Sequence, residues 1–316
     1  MNAFTPSSEL QLRNFEWCDL EQLLGLLVTV GKHGHREWPE NVRGLRLELE
    51  SPRVQPDQNM VLVSTGNDLV GYALVEPEPN ISRSVVDLAD ISGNPEVQFL
   101  TELPVTKLLL EWASKHAFEF APIMHLATRE CQSDLASLIE QSGWKRVRQY
   151  LKLASPVNPL PATAAVPKGF TVRTMQDLEE VMELTRLQNE SFRTHFGYSP
   201  NTENEIRSQL EAPNNSIDDV VMLRDSNERL VAYCWTTKSD RLGKTIGRIG
   251  MIGVAPDAQA RGFGRAIAES GFNHLIKQGV NQIDLDVDSV NTTAIKIYSS
   301  LGFTTTDKVD WWENAI

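Results

Sequence analysis

The chain has 316 residues, with 42 acidic against 30 basic side chains and a formal net charge of −12. A hydrophobic share of 41% with 23% charged residues describes a globular protein long enough for two ordinary domains, each with its own core. The acidic balance argues against a nucleic-acid surface and the lack of an eighteen-residue apolar run against a membrane span, while three scattered cysteines (Cys18, Cys131, Cys234) give neither a disulfide framework nor zinc spacing.

No basic-then-apolar signal pattern opens the chain, which predicts a cytoplasmic location. In chain order, Leu10-Gln-Leu-Arg13 reads as a first strand and Asp19-Leu-Glu21 as an acid-rich helix start. His33-x-His35-x-Glu37 lacks further ligands at diagnostic spacing and reads as solvated polar residues, so no metal is expected. The second half repeats the opening as Phe170-Thr-Val-Arg173 and Asp177-Leu-Glu179. Val70-Gly-Tyr72 corresponds to Val231-Ala-Tyr233, each after a turn (Asn67-Asp68, Asn227-Glu228) that predicts a hairpin. Ser142-Gly-Trp144 and Leu301-Gly-Phe303 close matching helices ahead of a final strand pair. A repeat distance of about 160 residues is too long for a solenoid and predicts a duplicated domain. The copies are expected at 1–154 and 169–316, joined by a linker at 155–168 that holds Pro156, Pro159, Pro161 and Pro167.

The most informative stretch is Gly253-Val-Ala-Pro-Asp-Ala-Gln-Ala-Arg-Gly-Phe-Gly-Arg265. Ile249, Met251, Ile252 and Val254 end a strand before it; Ala266, Ile267, Phe272, Leu275 and Ile276 form one helical stripe after it, with Gly279 as the stop. Gly262 and Gly264 clear side chains from a first helical turn whose backbone N–H groups have no intrahelical partner, which makes an anion site. Lys244, Arg248, Arg261 and Arg265 form a basic island against a single acid, Asp257. Neither the dinucleotide fingerprint nor the P-loop pattern is present.

A second motif follows, with Asn291 as N-cap, Ala294, Ile297, Tyr298 (thirty-four residues beyond Gly264) and Leu301 on one face, and Gly302-Phe303 at the end. The order Gln259-x-x-Gly262-x-Gly264, then Asn291-x-x-Ala294-x-x-x-Tyr298-x-x-x-Gly302-Phe303, resembles the GNAT superfamily of N-acetyltransferases. The resemblance implies an α/β (α+β) fold of two tandem GNAT-like domains, each a mixed, mostly antiparallel twisted sheet flanked by helices. It also implies acetyl-CoA as co-substrate, held by Ile252, Gly253, Val254, Gln259, Ala260, Arg261, Gly262, Phe263, Gly264, Arg265 and Asn291, with Tyr298 as the acid that protonates the departing thiolate.

Within the superfamily, the tandem arrangement is similar to the mycothiol synthase family, whose members acetylate the cysteinyl amine of a sugar-linked thiol precursor. The chain departs from that family where a strand carboxylate serves as base: Gly247-Arg248-Ile249-Gly250-Met251 has none, and an arginine stays protonated. Glu190 and His195 are open candidates for the base. Asp284, Asp286 and Asp288 alternate with Ile283, Leu285 and Val287, giving one acidic strand face that is either solvated or acceptor-facing; it has no calcium-loop spacing. Gly253 suggests a bulge, and Tyr233, Trp235 and the Trp311-Trp312 pair are candidates to line an acceptor cavity.

The first copy places Ile139 where Tyr298 stands and Gln132 where Asn291 stands, and its segment Val85–Val97 leads into Gln98–Pro104 without paired glycines. One CoA per chain, in the second copy, is expected. The expected partners are acetyl-CoA and an amine-bearing acceptor attacked directly in a ternary complex, with no nucleic acid and no membrane. The alternative is a CoA-binding sensor or scaffold without turnover, which the missing strand carboxylate keeps open.

Overall fold

Among the described residues, apolar runs broken by turn residues build twelve strands, and amphipathic stretches build the helices that cover them. The computed structural model describes residues 10–30, 38–39, 41–51, 54–91, 105–157, 166–211, 215–241 and 243–316. His33, His35, Glu37, the segment 98–104 and most of the proline-rich stretch lie outside the described residues. The chain forms two compact units: residues 1–149 with 309–316, and residues 150–308.

The first unit holds β1 (Leu10–Asn14), α1 (Leu20–Val30), α2 (Val42–Leu49), α3 (Pro56–Asn59), β2 (Met60–Thr65), β3 (Asp68–Glu78), β4 (Arg83–Asp90), α4 (Val105–Phe120), β5 (Ile123–Arg129) and α5 (Ser133–Gln141). β1 to β4 run antiparallel in sequence order, and β4 pairs parallel with β5. Side-chain alternation sends Val61, Val63, Ala73 and Val86 under α4, and Leu62, Tyr72 and Leu74 under α1 and α2.

The second unit repeats that order with β7 (Phe170–Thr174), α6 (Val181–Phe192), α7 (Glu203–Leu210), β8 (Val220–Asp225), β9 (Leu230–Arg241), β10 (Lys244–Val254), α8 (Phe263–Lys277), β11 (Gln282–Asp288) and α9 (Thr292–Ser300). β7 to β10 are antiparallel, and β10 and β11 are parallel. α8 buries Ala266, Ile267, Phe272 and Leu275; Gly279 (φ +79°) ends it in the left-handed conformation that glycine takes without a Cβ penalty. At Gly271 an added Cβ would sit 2.3 Å from Cys234 Sγ, so this helix approaches β9 where only glycine fits.

Two strands pass from one unit to the other. β6 (Lys145–Pro156) begins in the first and, through Tyr150–Pro156, pairs antiparallel with β11 in the second. β12 (Thr304–Ala315) begins in the second and, through Val309–Ala315, pairs antiparallel with β5 in the first. Each unit's sheet is thus extended by the final strand of the opposite sequence half. Trp311 and Trp312 accordingly belong to the first unit: Trp312 is buried and donates through Nε1 to Thr128 Oγ1 at 2.9 Å, and Trp311 meets the His125 ring edge-on. Of this candidate acceptor wall, Trp312 is instead a buried packing residue against β5.

Candidate functional site

β10 and β11 pair from Ile246↔Gln282 to Ile249↔Leu285. Beyond that point β10 continues to Val254 along β9, while β11 continues to Asp288 along β6, so the two parallel strands part. A bulge lies at the fork: the register with β9 shifts between Ile249 and Met251, leaving Gly250 as the extra residue. An inserted residue bends its strand and resets the alternation of side chains. The bulge expected at Gly253 is therefore at Gly250. Gly253 pairs regularly with Tyr233, and its missing side chain serves a different purpose: an added Cβ would lie 2.4 Å from Tyr233 Cε1 and 2.5 Å from Ser191 Oγ of α6.

The direction of the amides past the fork follows from one hydrogen bond. Ala255 N–H donates to Val231 O at 2.8 Å, so Ala255 and Gly253 turn their polar groups toward β9, and Ile252 and Val254 turn theirs toward the opening. Gln259 Nε2 reaches back to Val254 O at 3.4 Å. Of the three strand residues expected to meet the cofactor, Ile252 and Val254 thus present main-chain groups to the fork.

The loop after β10 contains a 3-10 turn at Pro256–Ala258, then Ala260 (φ +60°) and Gly262 (φ +84°) in left-handed conformations. Gly262 is the N-cap of α8 and supplies no side-chain cap, so the leading amides of the helix face outward under the positive end of its dipole. Gly264 leaves that turn open, with only Val254 Cγ2, at 3.8 Å, near a would-be Cβ. Buried Phe263 packs on Phe170 with ring centroids 4.6 Å apart and anchors the turn, while Arg261 lies over the Phe263 ring. Arg265 pairs with Glu269 at 2.7 Å and donates to Ser300 Oγ at 3.1 Å, linking this turn to α9. Arg229 holds Asp257 at 2.7 Å. These features fit a diphosphate: open amides, a helix dipole, nearby guanidinium groups and no acid in the turn itself.

α9 starts as its sequence requires, with Asn291 Oδ1 accepting from Ala294 N–H at 3.1 Å; the Asn291 side chain is thus committed to its own helix. Tyr298 packs edge-on against Phe303 and is mostly buried, and no hydrogen bond to its hydroxyl occurs among the described residues. Burial, with a smaller contribution from Cys234, raises the phenol well above its ordinary value, so it remains a proton donor at neutral pH. Burial also pushes the Cys234 thiol up to about 12, which removes it as a nucleophile. Tyr233 and Trp235 are buried packing residues in β9 rather than cavity walls.

The face of the sheet opposite α8 carries the charges. A Cβ on Gly247 would touch Leu275 of α8, so its neighbour Arg248 points to the other face. There Arg248 Nη2 lies 2.6 Å from Asp286 Oδ2, and Lys152 Nζ lies 3.5 Å from Asp286 Oδ1. Asp284 accepts from Gln282 Nε2 at 2.6 Å, and Asp288 Oδ1 accepts from Val290 N–H at 3.1 Å. Glu190 pairs with Arg186 on α6 at 3.6 Å, and the His195 ring lies tilted against Phe192 with centroids 4.6 Å apart. The alternating aspartates were legible in the sequence; the cationic partners of Asp286 on β10 and β6 were not. Among the described residues no group of three or more His, Cys, Asp or Glu side chains is arranged to hold a metal. No described helix is long and apolar enough to cross a membrane. A cavity of about 270 Å³ beside the far end of α8, lined by Val172, Arg173, Val221, His274 and Lys277, contains none of the predicted site residues.

The first unit shows what its sequence lacks. Ile139 is fully buried at the position matching Tyr298, and Gln132 precedes α5 without capping it, accepting instead from Arg129 N–H at 2.8 Å.

A forked parallel strand pair followed by a glycine-capped helix defines the GNAT class of fold. Residues 180–303, which lie within the second unit, match the Acetyltransferase (GNAT) family. The chain is 26% identical over 267 residues to a mycothiol acetyltransferase of Pseudarthrobacter chlorophenolicus, covering 83% of this chain and 78% of that protein. It is 28% identical over 175 residues to the enzyme of that name from Actinosynnema mirum, covering 55% of this chain. The alignments span 57% of the Actinosynnema mirum protein and 61% of the one from Propionibacterium freudenreichii subsp. shermanii. Among solved structures, a GCN5-related N-acetyltransferase from Sphaerobacter thermophilus superposes with a TM-score of 0.74 at 19% identity, covering 97% of this chain and 95% of that one. A tandem GNAT protein from the clavulanic acid biosynthesis pathway gives the same TM-score at 15% identity, covering 97% of this chain and 98% of that one. The fold is therefore that of tandem GNAT proteins.

Proposed function

We propose that the chain is an acetyl-CoA-dependent N-acetyltransferase whose second unit transfers an acetyl group to a primary amine by direct attack in a ternary complex. The observation that carries this reading is the fork between β10 and β11, with the main-chain groups of Ile252 and Val254 turned into it and the uncapped start of α8 at its end. Acetyl-CoA supplies the activated thioester. The amides at Gly262–Arg265 hold its diphosphate, and Ile252 and Val254 hydrogen-bond along the fork. A donor aimed where negative charge develops on the acetyl oxygen is worth about 10²–10³ in rate in characterised enzymes. Tyr298 gives its proton to the departing thiolate as the carbon–sulfur bond breaks, and the proton lost by the attacking amine returns through solvent to restore the phenol.

A covalent acyl-enzyme is disfavoured because Cys234, the described cysteine of the second unit, is buried with a thiol pushed up to about 12. The copies expected from the sequence at 1–154 and 169–316 describe a duplication and not separable halves, because β6 and β12 each complete the sheet of the other half; the first copy is degenerate and one acetyl-CoA binds per chain. The relatives named mycothiol acetyltransferase make the amine acetylated in mycothiol formation the first acceptor to assay.

The second reading, a CoA-binding sensor or scaffold, draws on Arg248, which stands on β10 where the family habitually offers a carboxylate. Release of free thiol from acetyl-CoA across a panel of amines tests the proposal. Acceptor-dependent release supports transfer; tight CoA binding with no release above the amine-free rate supports the sensor.

A further inference from the structure

Asp286 is the first β11 residue past the last pairing with β10, so it stands at the mouth of the fork. Its side chain is on the face opposite α8, where it meets Arg248. Both carboxylate oxygens are held from different strands: Oδ2 by Arg248 of β10 at 2.6 Å, Oδ1 by Lys152 of β6 at 3.5 Å. Lys152 is directly opposite Asp286 in the β6–β11 register, and only 14% of its side chain is exposed. Asp286 and Arg248 stay about one-third exposed, at 33% and 35%, so the row remains open to solvent at its centre while its Lys152 end is covered.

The source of Lys152 is the unexpected part. It lies in the sequence half that has lost the phosphate loop, yet β6 carries residues 150–156 into the second unit. A carboxylate tied at both oxygens has a fixed plane, whereas one tied at a single oxygen rotates about its last bond. Fixing that plane matters for a group that accepts a directional hydrogen bond from a bound amine.

We infer that Lys152 is a positioning residue for the acceptor: it orients Asp286, and Asp286 receives the acceptor's N–H at the fork. The first half of the sequence therefore contributes to acceptor selection by the second unit through a strand rather than through a second active site. This inference rests on the acetyltransferase reading, and the experiment separates the two.

The probe is the best acceptor from a fixed panel of cysteinyl-glucosamine, spermidine, tyramine and alanylglycine, assayed on the full chain by thiol release. Lys152→Met is expected to raise the acceptor KM about 10-fold, the scale of one lost charge-assisted hydrogen bond, with the acetyl-CoA KM changed less than about 2-fold. Lys152→Arg, which keeps the charge and a donor, restores the acceptor KM to within about 3-fold of the parent. Adding Lys152→Met to Asp286→Asn changes nothing further, because the two act as a unit. An unchanged acceptor KM in Lys152→Met, equal rises in both KM values, or full additivity in the double variant overturns the inference while leaving acetyl transfer standing. No thiol release by the unaltered chain with any of the four amines overturns both.

Discussion

Ser191 of α6 sits so close over Gly253 of β10 that a Cβ there would fall 2.5 Å from its hydroxyl oxygen. The Ser191 hydroxyl is itself fixed by donating to Leu187 O at 2.6 Å within α6, and the Tyr233 ring lies equally close to Gly253. Packing thus fixes the strand that turns Ile252 and Val254 toward the fork. Gly253→Ala is expected to destabilise the chain by about 1–3 kcal/mol, the usual cost of overpacking, and to lower thiol release. Gly250→Ala is the control: its Cβ meets only Trp235 O at 3.6 Å, an ordinary contact. Urea titration of both variants checks the contrast, and equal losses would contradict it.

Tyr298 is raised by burial and stays a neutral phenol across the working pH range. Tyr298→Phe keeps the packing against Phe303 and removes only the proton donor, so kcat should fall on the order of 10²-fold while the dissociation constant for CoA moves less than about 2-fold. Stopped-time assays with calorimetric CoA titration check both numbers. An unchanged kcat returns Tyr298 to the role of a core aromatic.

Acid stability depends on an ion-pair network behind the site. Arg173 and the buried Arg224 contact Glu180 at 2.5 and 2.6 Å, and Arg224 also meets Glu183 at 2.8 Å. Burial alone would raise the Glu180 carboxyl, but the Arg173 hydrogen bond, the Gln176 amide and both guanidinium charges outweigh it and hold the group at about 2. A carboxyl depressed in the folded state stabilises the fold fully above its unfolded value near 4.5, and that contribution disappears as pH falls toward 2. Its size is on the order of 3 kcal/mol. Glu180→Gln should flatten the fall in stability between pH 4.5 and 2, measured as the urea midpoint against pH, although it also leaves Arg224 short of a partner and lowers stability at neutral pH. A variant with the parent's slope would contradict this assignment.

The parts of the site that were legible in the sequence are those set by short-range chemistry. Asn291 caps α9, while Gly279 and Gly302 take positive φ after their helices, because these roles depend on neighbours within a few residues. Long-range pairing was not legible. Gly247, Gly250 and Gly253 all interrupt the same strand, and only the register with β9 identifies Gly250 as the bulge and Gly253 as the point of close approach. The exchange of β6 and β12 is likewise invisible locally, since an alternating strand pattern does not state which sheet edge it joins. That exchange is why neither the place of Trp311-Trp312 along β5 nor that of Lys152 opposite Asp286 can be read from the sequence.

The central claim is that the bare first turn of α8 holds the diphosphate of acetyl-CoA. Gly264→Asp tests it, because the position has room for a side chain, with its nearest neighbour at 3.8 Å, and an acid in the first turn suits the helix dipole, so folding is preserved. Calorimetric titration of the full chain with acetyl-CoA should find one site per chain, abolished in Gly264→Asp at an unchanged thermal midpoint. Two equivalent sites, or one site that binds equally well in the variant, would contradict the account.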